Sequence, residues 1–126
     1  MNDDIYQENI LDHYKNPRNK GRIENPTYKA SDLNPFCGDK LEITLKVKAG
    51  KIQDICFDGQ GCAISIASAS ILTEIVKGKD LQQVRNMTKQ DLLEELGIEL
   101  SAIRIKCALL SLKVLKLAAY KEVIEI

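Results

Sequence analysis

Residues 41–48, Leu-Glu-Ile-Thr-Leu-Lys-Val-Lys, alternate strictly between apolar and polar side chains. Neighbouring side chains of a strand point to opposite faces, so this period demands a sheet with one buried side and one wetted side. No helix satisfies it. Ala49-Gly50-Lys51 follows as a hairpin turn, and residues 52–58 return as a second strand with Ile55 and Phe57 on one face and Cys56 on the other. Gly59-Gln60-Gly61-Cys62 breaks that strand. An antiparallel hairpin in the middle of the chain is thus the fixed point around which everything else must pack.

The flanks read as helices. Ile5, Tyr6, Asn9, Ile10 and His13 recur at helical spacing behind the capping candidates Asn2 and Asp3, and Asn16-Pro17-Arg18-Asn19-Lys20-Gly21 stops the helix after about a dozen residues. Residues 22–40 are rich in Pro, Asn, Asp and Gly and predict a loop-dominated segment with one short strand near residues 28–33. Residues 63–77 predict a helix whose many Ala and Ser side chains suit close packing on the sheet. Asp80 and Thr88 are N-caps for two short helices, the second with Asp91 at capping-box spacing and Gly97 as its stop. Ser101 opens a last helix that is apolar over most of its circumference, which puts it either at the centre of the core or partly under another subunit of a homo-oligomer. The expected fold class is α+β, with a small antiparallel sheet of about three strands, helices packed on one face and a long C-terminal helix, all of residues 1–126 forming one domain.

Composition narrows the function classes. The 126 residues carry 18 basic and 18 acidic side chains, so no basic surface announces nucleic acid. No apolar run approaches membrane-spanning length, and Met1-Asn2-Asp3-Asp4 is acidic where a signal peptide is basic and then apolar. A cytoplasmic location is the expectation. Four cysteines in a reducing compartment point to thiolate chemistry rather than to structural disulfides.

Cys37, Cys62 and Cys107 lie 25 and then 45 residues apart, with no Cys-x-x-Cys pair. Each falls at a loop tip or in the opening turns of a helix, where a side chain can be presented at the edge of a core. Cys62 follows Gly-x-Gly and opens a helix whose N-terminal amides favour a thiolate, so it is expected to be the most acidic of the four. Gly38 permits a tight turn that aims Cys37 and Asp39 at one centre. Arg104 precedes Cys107 by one helical turn and Lys106 adjoins it, two supporting cations. Three sulfurs and one oxygen are the donor count of a tetrahedral site suited to zinc or to an iron–sulfur cluster. The plainer readings are a free cysteine as a small buried hydrophobe and Asp39 as a turn residue. For Cys56, and for His13 as a packing group at a helix end, the plain reading is the favoured one.

Taken together, Asp12-His13-Tyr14-Lys15-Asn16-Pro17-Arg18-Asn19, Asn34-Pro35-Phe36-Cys37-Gly38-Asp39, Gly59-Gln60-Gly61-Cys62-Ala63-Ile64-Ser65 and Arg104-Ile105-Lys106-Cys107 resemble the IscU/SufU family of iron–sulfur cluster assembly proteins, also found as the N-terminal domain of NifU. The resemblance covers about residues 5 to 120. It implies a scaffold that accepts sulfur from a cysteine desulfurase, assembles a [2Fe-2S] cluster and passes it to apo-proteins. The implied ligands are Cys37, Asp39, Cys62 and Cys107, with no ligand role for Cys56. Asn-Pro-x-Cys-Gly-Asp and Arg-x-Lys-Cys resemble the SufU branch, whose members are zinc-containing sulfur acceptors. The short segment between Gly78 and Ser101 resembles the Isc branch instead, although the histidine before the third cysteine and the Leu-Pro-Pro-Val-Lys chaperone element of that branch are missing. The alternative function is therefore zinc-dependent sulfur transfer, with Zn2+ in the same four-residue site and Cys107, or else Cys62, taking the persulfide.

Overall fold

The alternating segment is the central strand of a three-stranded antiparallel sheet in the order β1-β2-β3. The computed structural model describes residues 8–35 and 38–124. Strand β2 (Asp39–Lys48) pairs with β1 (Tyr28–Asn34) on one side and with β3 (Lys51–Gln60) on the other. Leu41, Ile43 and Leu45 of β2 join Ile55 and Phe57 of β3 on a fully buried face, as their alternation requires. Lys48 stands opposite Lys51, and the two residues between them, Ala49 and Gly50, both have positive φ (54° and 76°). That is the turn whose twist matches a two-residue hairpin, with glycine free of strain at its second position and Ala49 bearing some at the first.

Two irregularities refine the hairpin. Lys46 pairs with Asp54 but Val47 with Ile52, so Gln53 is an extra residue, and this bulge lets Ile52 and Ile55 both face the core although three apart. Strand β3 also runs two residues past Asp58, where the glycines were expected to end it: Gly59 sits opposite Leu41 and Gln60 opposite Lys40. A Cβ at Gly59 would lie 2.0 Å from the Lys40 carbonyl oxygen, and its φ is +142°. The glycine therefore permits a close backbone approach inside the strand, and the break falls at Gly61.

Five helices follow the expected order: α1 (Glu8–Lys15), α2 (Ala63–Val76), α3 (Leu81–Arg85), α4 (Lys89–Leu96) and α5 (Ala102–Ile124). The start expected for α1, with Asn2, Asp3, Ile5 and Tyr6, lies outside the described residues. Asp80 and Thr88 each form a capping box, with Gln83 and Asp91, and Gly97 ends α4 with φ +68°. Helices α2 and α5 cover the apolar face of the sheet, and residues of the sheet, α1, α2, α3, α4 and α5 share one apolar cluster. Helix α2 packs chiefly against α1 and α5 and less extensively against β3. Its small side chains thus serve helix–helix approach more than the packing on the sheet that was expected. Of the two placements for α5, the core is the one realised for most of its length, with Ala108, Val114, Leu115 and Ala118 fully buried, while Ile103 (63%) and Leu117 (44%) remain exposed.

Candidate metal centre

The start of α2 meets the start of β2. Cys62 is the N-cap of α2 in extended conformation (φ −72°, ψ 170°), and its side chain makes no capping bond. Its backbone N–H donates instead to Asp39 Oδ1 at 3.0 Å, so a carboxylate from the sheet occupies the electropositive end of the helix. Asp39 is the first residue of β2, and its side chain lies on the same face as Leu41 and Ile43 rather than at a turn tip. Gly61 makes this possible, because a Cβ there would lie 2.5 Å from Asp39 Oδ1 and 3.1 Å from Ser65 Cβ. Each glycine of Gly59-Gln60-Gly61 thus admits one neighbour, the first a strand backbone and the second a carboxylate.

Helix α5 brings in Cys107, which is 1% exposed. Ser65 Oγ of α2 donates to the Cys107 carbonyl oxygen at 3.2 Å, holding the two helices in register. Asn34, the last residue of β1, donates from Nδ2 to Cys107 Sγ at 3.9 Å. The Asn34 carbonyl oxygen accepts the Gly38 N–H at 2.9 Å, and Gly38 has φ +71°, the left-handed turn expected of it. Cys37, the remaining expected ligand, lies outside the described residues.

A carboxylate oxygen of Asp39, Cys62 Sγ and Cys107 Sγ all fall within 4.8 Å of one another. Tetrahedral zinc thiolates hold their donors about 3.8 Å apart, so a contraction of about 1 Å would close these three on an ion. Asp39 is 0% exposed, yet its Oδ2 has no hydrogen-bond partner among the described residues. A buried carboxylate oxygen without a donor is costly, and a cation between it and two sulfurs removes that cost. The donor set of soft sulfurs with one hard oxygen fits zinc or an iron–sulfur cluster and does not suit magnesium or calcium.

The other singled-out residues lie around this centre or away from it. Arg104 is half-buried in the first turn of α5, and Lys106 is exposed beside Cys107. Cys56 pairs with Thr44 on the sheet face opposite Ile55 and Phe57; burial, with Asp54 adding to it against Lys77, pushes its thiol pKa up. His13 lies against α2, with Nδ1 2.7 Å from Ser70 Oγ, and burial lowers its pKa. Sequence reasoning missed the parts played by Asn34, Gly61 and Ser65. All three stand inside the motifs that carry the resemblance, but only the meeting of β1, β2, α2 and α5 shows what their side chain, or its lack, accomplishes.

Comparison with known proteins agrees with this geometry. The chain is 39% identical over 137 aligned positions to the zinc-dependent sulfurtransferase SufU of Bacillus subtilis, covering 95% of this chain and 92% of that one. That alignment exceeds the 126 residues present and so opens gaps in this chain. An iron–sulfur cluster assembly scaffold protein IscU of Aquifex aeolicus is 43% identical over 115 positions, 90% of this chain and 73% of the relative. Among solved structures, a candidate iron–sulfur cluster assembly scaffold for the SUF system from Fervidobacterium islandicum superimposes with a TM-score of 0.80 at 29% identity, over 94% of this chain and 99% of that one. The family model of the NifU-like N-terminal domain matches residues 5–123, a span that includes Cys37, Asp39, Cys62 and Cys107, and the chain belongs to that family.

Proposed function

We propose that the protein is an iron–sulfur cluster assembly scaffold, with Cys37, Asp39, Cys62 and Cys107 holding a [2Fe-2S] cluster that is its cargo. The observation that carries this reading is the buried Asp39 Oδ2, without a hydrogen-bond partner among the described residues, beside two thiols of different elements. A scaffold must release what it builds. An oxygen ligand donates less charge to ferric iron than a thiolate and is more readily displaced, so Asp39 is the arm that lets go. Sulfur comes from a cysteine desulfurase in the cytoplasm: a thiolate of this chain attacks the terminal sulfur of the donor's persulfide, the donor's S–S bond breaks, and the donor thiolate leaves. Cys62 is half-buried and Cys107 almost wholly buried, so of these two Cys62 is the thiol more open to a docked donor. The role of persulfide acceptor expected of Cys107 then requires the site to open. The completed cluster passes to apo-proteins, whose incoming thiolates take over the ligation.

The Bacillus relative favours a second reading, zinc-dependent sulfur transfer at the same residues. Zinc would hold the thiolates ready and stabilise them as leaving or attacking groups, with no cluster formed. Protein purified without oxygen decides between the two. Iron with matching acid-labile sulfide supports the scaffold, and zinc without sulfide supports the transferase. On the scaffold reading Asp39→Ala retains a cluster on three thiolates but transfers it more slowly, whereas on the transferase reading the same change weakens zinc and depresses sulfide production. A variant that transfers clusters as fast as wild type would refute the role given to Asp39.

A further inference from the structure

We propose that Asn34 is a positioning residue for Cys107, its side-chain amide holding the thiolate toward Asp39 and Cys62 and drawing electron density from the sulfur. Three observations carry this. Asn34 is 7% exposed at the last position of β1, and its Nδ2 donates to Cys107 Sγ at 3.9 Å across 73 residues of chain. Its carbonyl oxygen simultaneously accepts the Gly38 N–H and so ties the end of β1 to the residue that precedes Asp39. One residue thereby ties the α5 ligand to the strand that carries the carboxylate ligand. A buried amide donor aimed at sulfur is a feature that core packing alone does not call for, since a leucine would fill the same space without needing a partner. Partners of this kind fix ligand orientation and tune the electronic character of the metal they surround, and their removal weakens metal affinity by about 10–100-fold.

The inference rests on reading the site as a metal centre, and Co2+ titration of the wild-type protein tests that reading separately: no thiolate-to-metal charge-transfer band in wild type sinks the metal centre itself. Given that band, Asn34→Ala and the similarly branched Asn34→Leu are compared with it. Both keep the backbone bond to Gly38 and lose the donor. The expected result is Co2+ affinity lower by about 10–100-fold together with a charge-transfer band moved to longer wavelength, because a sulfur lone pair without its hydrogen bond lies higher in energy. In a Cys107→Ser background the Asn34 effect on the band should vanish, and in a Cys62→Ser background it should persist. Weaker binding with an unmoved band would mean that Asn34 only supports the fold, and an equal shift without Cys107 would place its action elsewhere; either overturns the proposal. Should neither variant fold, the unsubstituted residue answers the same question: the Asn34 side-chain amide resonances must move on Zn2+ addition in wild type and stay in place in Cys107→Ser. Resonances that stay in place in both proteins overturn it as well.

Discussion

Helix α2 carries a polar cluster at each end, and the two are built on opposite principles. Toward its C-terminal end, Ser70 Oγ accepts the Arg18 N–H at 2.8 Å and lies 2.7 Å from His13 Nδ1, which a neutral ring offers as an acceptor for the serine hydroxyl. Thr73 Oγ1 donates to the Ser70 carbonyl oxygen and accepts from Asn19 Nδ2, and Asn19 Oδ1 accepts from Lys77. Each of these groups has a mate, and the cluster fastens α1 and the 16–19 turn to the helix. At the N-terminal end, Asp39 is more deeply buried than any of them except Ser70 and Thr73, yet one of its oxygens has no partner among the described residues. A satisfied buried network holds a fold together, whereas at a half-satisfied buried carboxylate an added cation would lower the cost of burial.

Gly61→Ala breaks the contrast most severely. The added Cβ cannot coexist with Asp39 Oδ1 at 2.5 Å, so the carboxylate must leave its place. Destabilisation of about 1–3 kcal/mol is expected from overpacking, accompanied by loss of metal retention measured by dialysis and elemental analysis. Next come two changes with crossed outcomes. Ser70→Ala removes the partner of both Arg18 N–H and His13, and should cost about 1–3 kcal/mol in denaturant unfolding while leaving metal affinity untouched. Asp39→Ala gives up one hydrogen bond but also an unpartnered buried oxygen, so the metal-free protein should change by less than about 1 kcal/mol while metal affinity falls. If both variants lost stability and metal together, the two ends would not be distinct.

Acidification sharpens the comparison further. Burial, with Arg18 assisting, depresses the His13 pKa below its ordinary 6.5, so the unfolded chain takes up this proton first as pH falls. Stability from this cluster is complete above pH 6.5 and declines below it, and His13→Gln should flatten that decline in unfolding curves taken between about pH 5 and 7. Asp12 and Asp32, held low by hydrogen bonds from Arg18 and Lys113 respectively, lose their contribution only as pH falls below 3.8 and do not interfere in that window. The smallest effect is expected at Cys56, which lies on the sheet face opposite Ile55 and Phe57. Cys56→Ser should stay within about 0.5 kcal/mol of wild type with full metal content, and its raised thiol pKa predicts slow alkylation at neutral pH.

The parts of the molecule that announced themselves were those whose cause is local. Alternation at 41–48 prescribed the central strand, and Asp80, Thr88 and Gly97 carried their cap chemistry in their own side chains or lack of one. Three of the expected donors, Asp39, Cys62 and Cys107, do come together, and of these Cys62 was marked locally by the glycines that precede it. What escaped was every relation that depends on strands meeting. Gly59 looks like a strand breaker until β2 is laid beside it, and the bulge at Gln53 has no mark of its own. Asp39 resembles a turn residue because turns favour aspartate, and only the register of β2 turns it inward. Asn34 stands in a motif, but nothing in the sequence ties its side chain to Cys107 until α5 is in place.

Asp39 makes one bond whose consequence does not depend on the identity of a bound cation. Its Oδ1 is fixed to the Cys62 amide while Oδ2 stays open, so a single carboxylate joins the site to the first peptide group of α2. When a cation draws on Oδ2, negative charge leaves Oδ1 as well, and the amide proton feels a weaker acceptor. The Cys62 N–H is therefore a gauge of loading built into the backbone: its resonance should move upfield as cargo arrives and return as cargo departs, giving filling and emptying rates without any label.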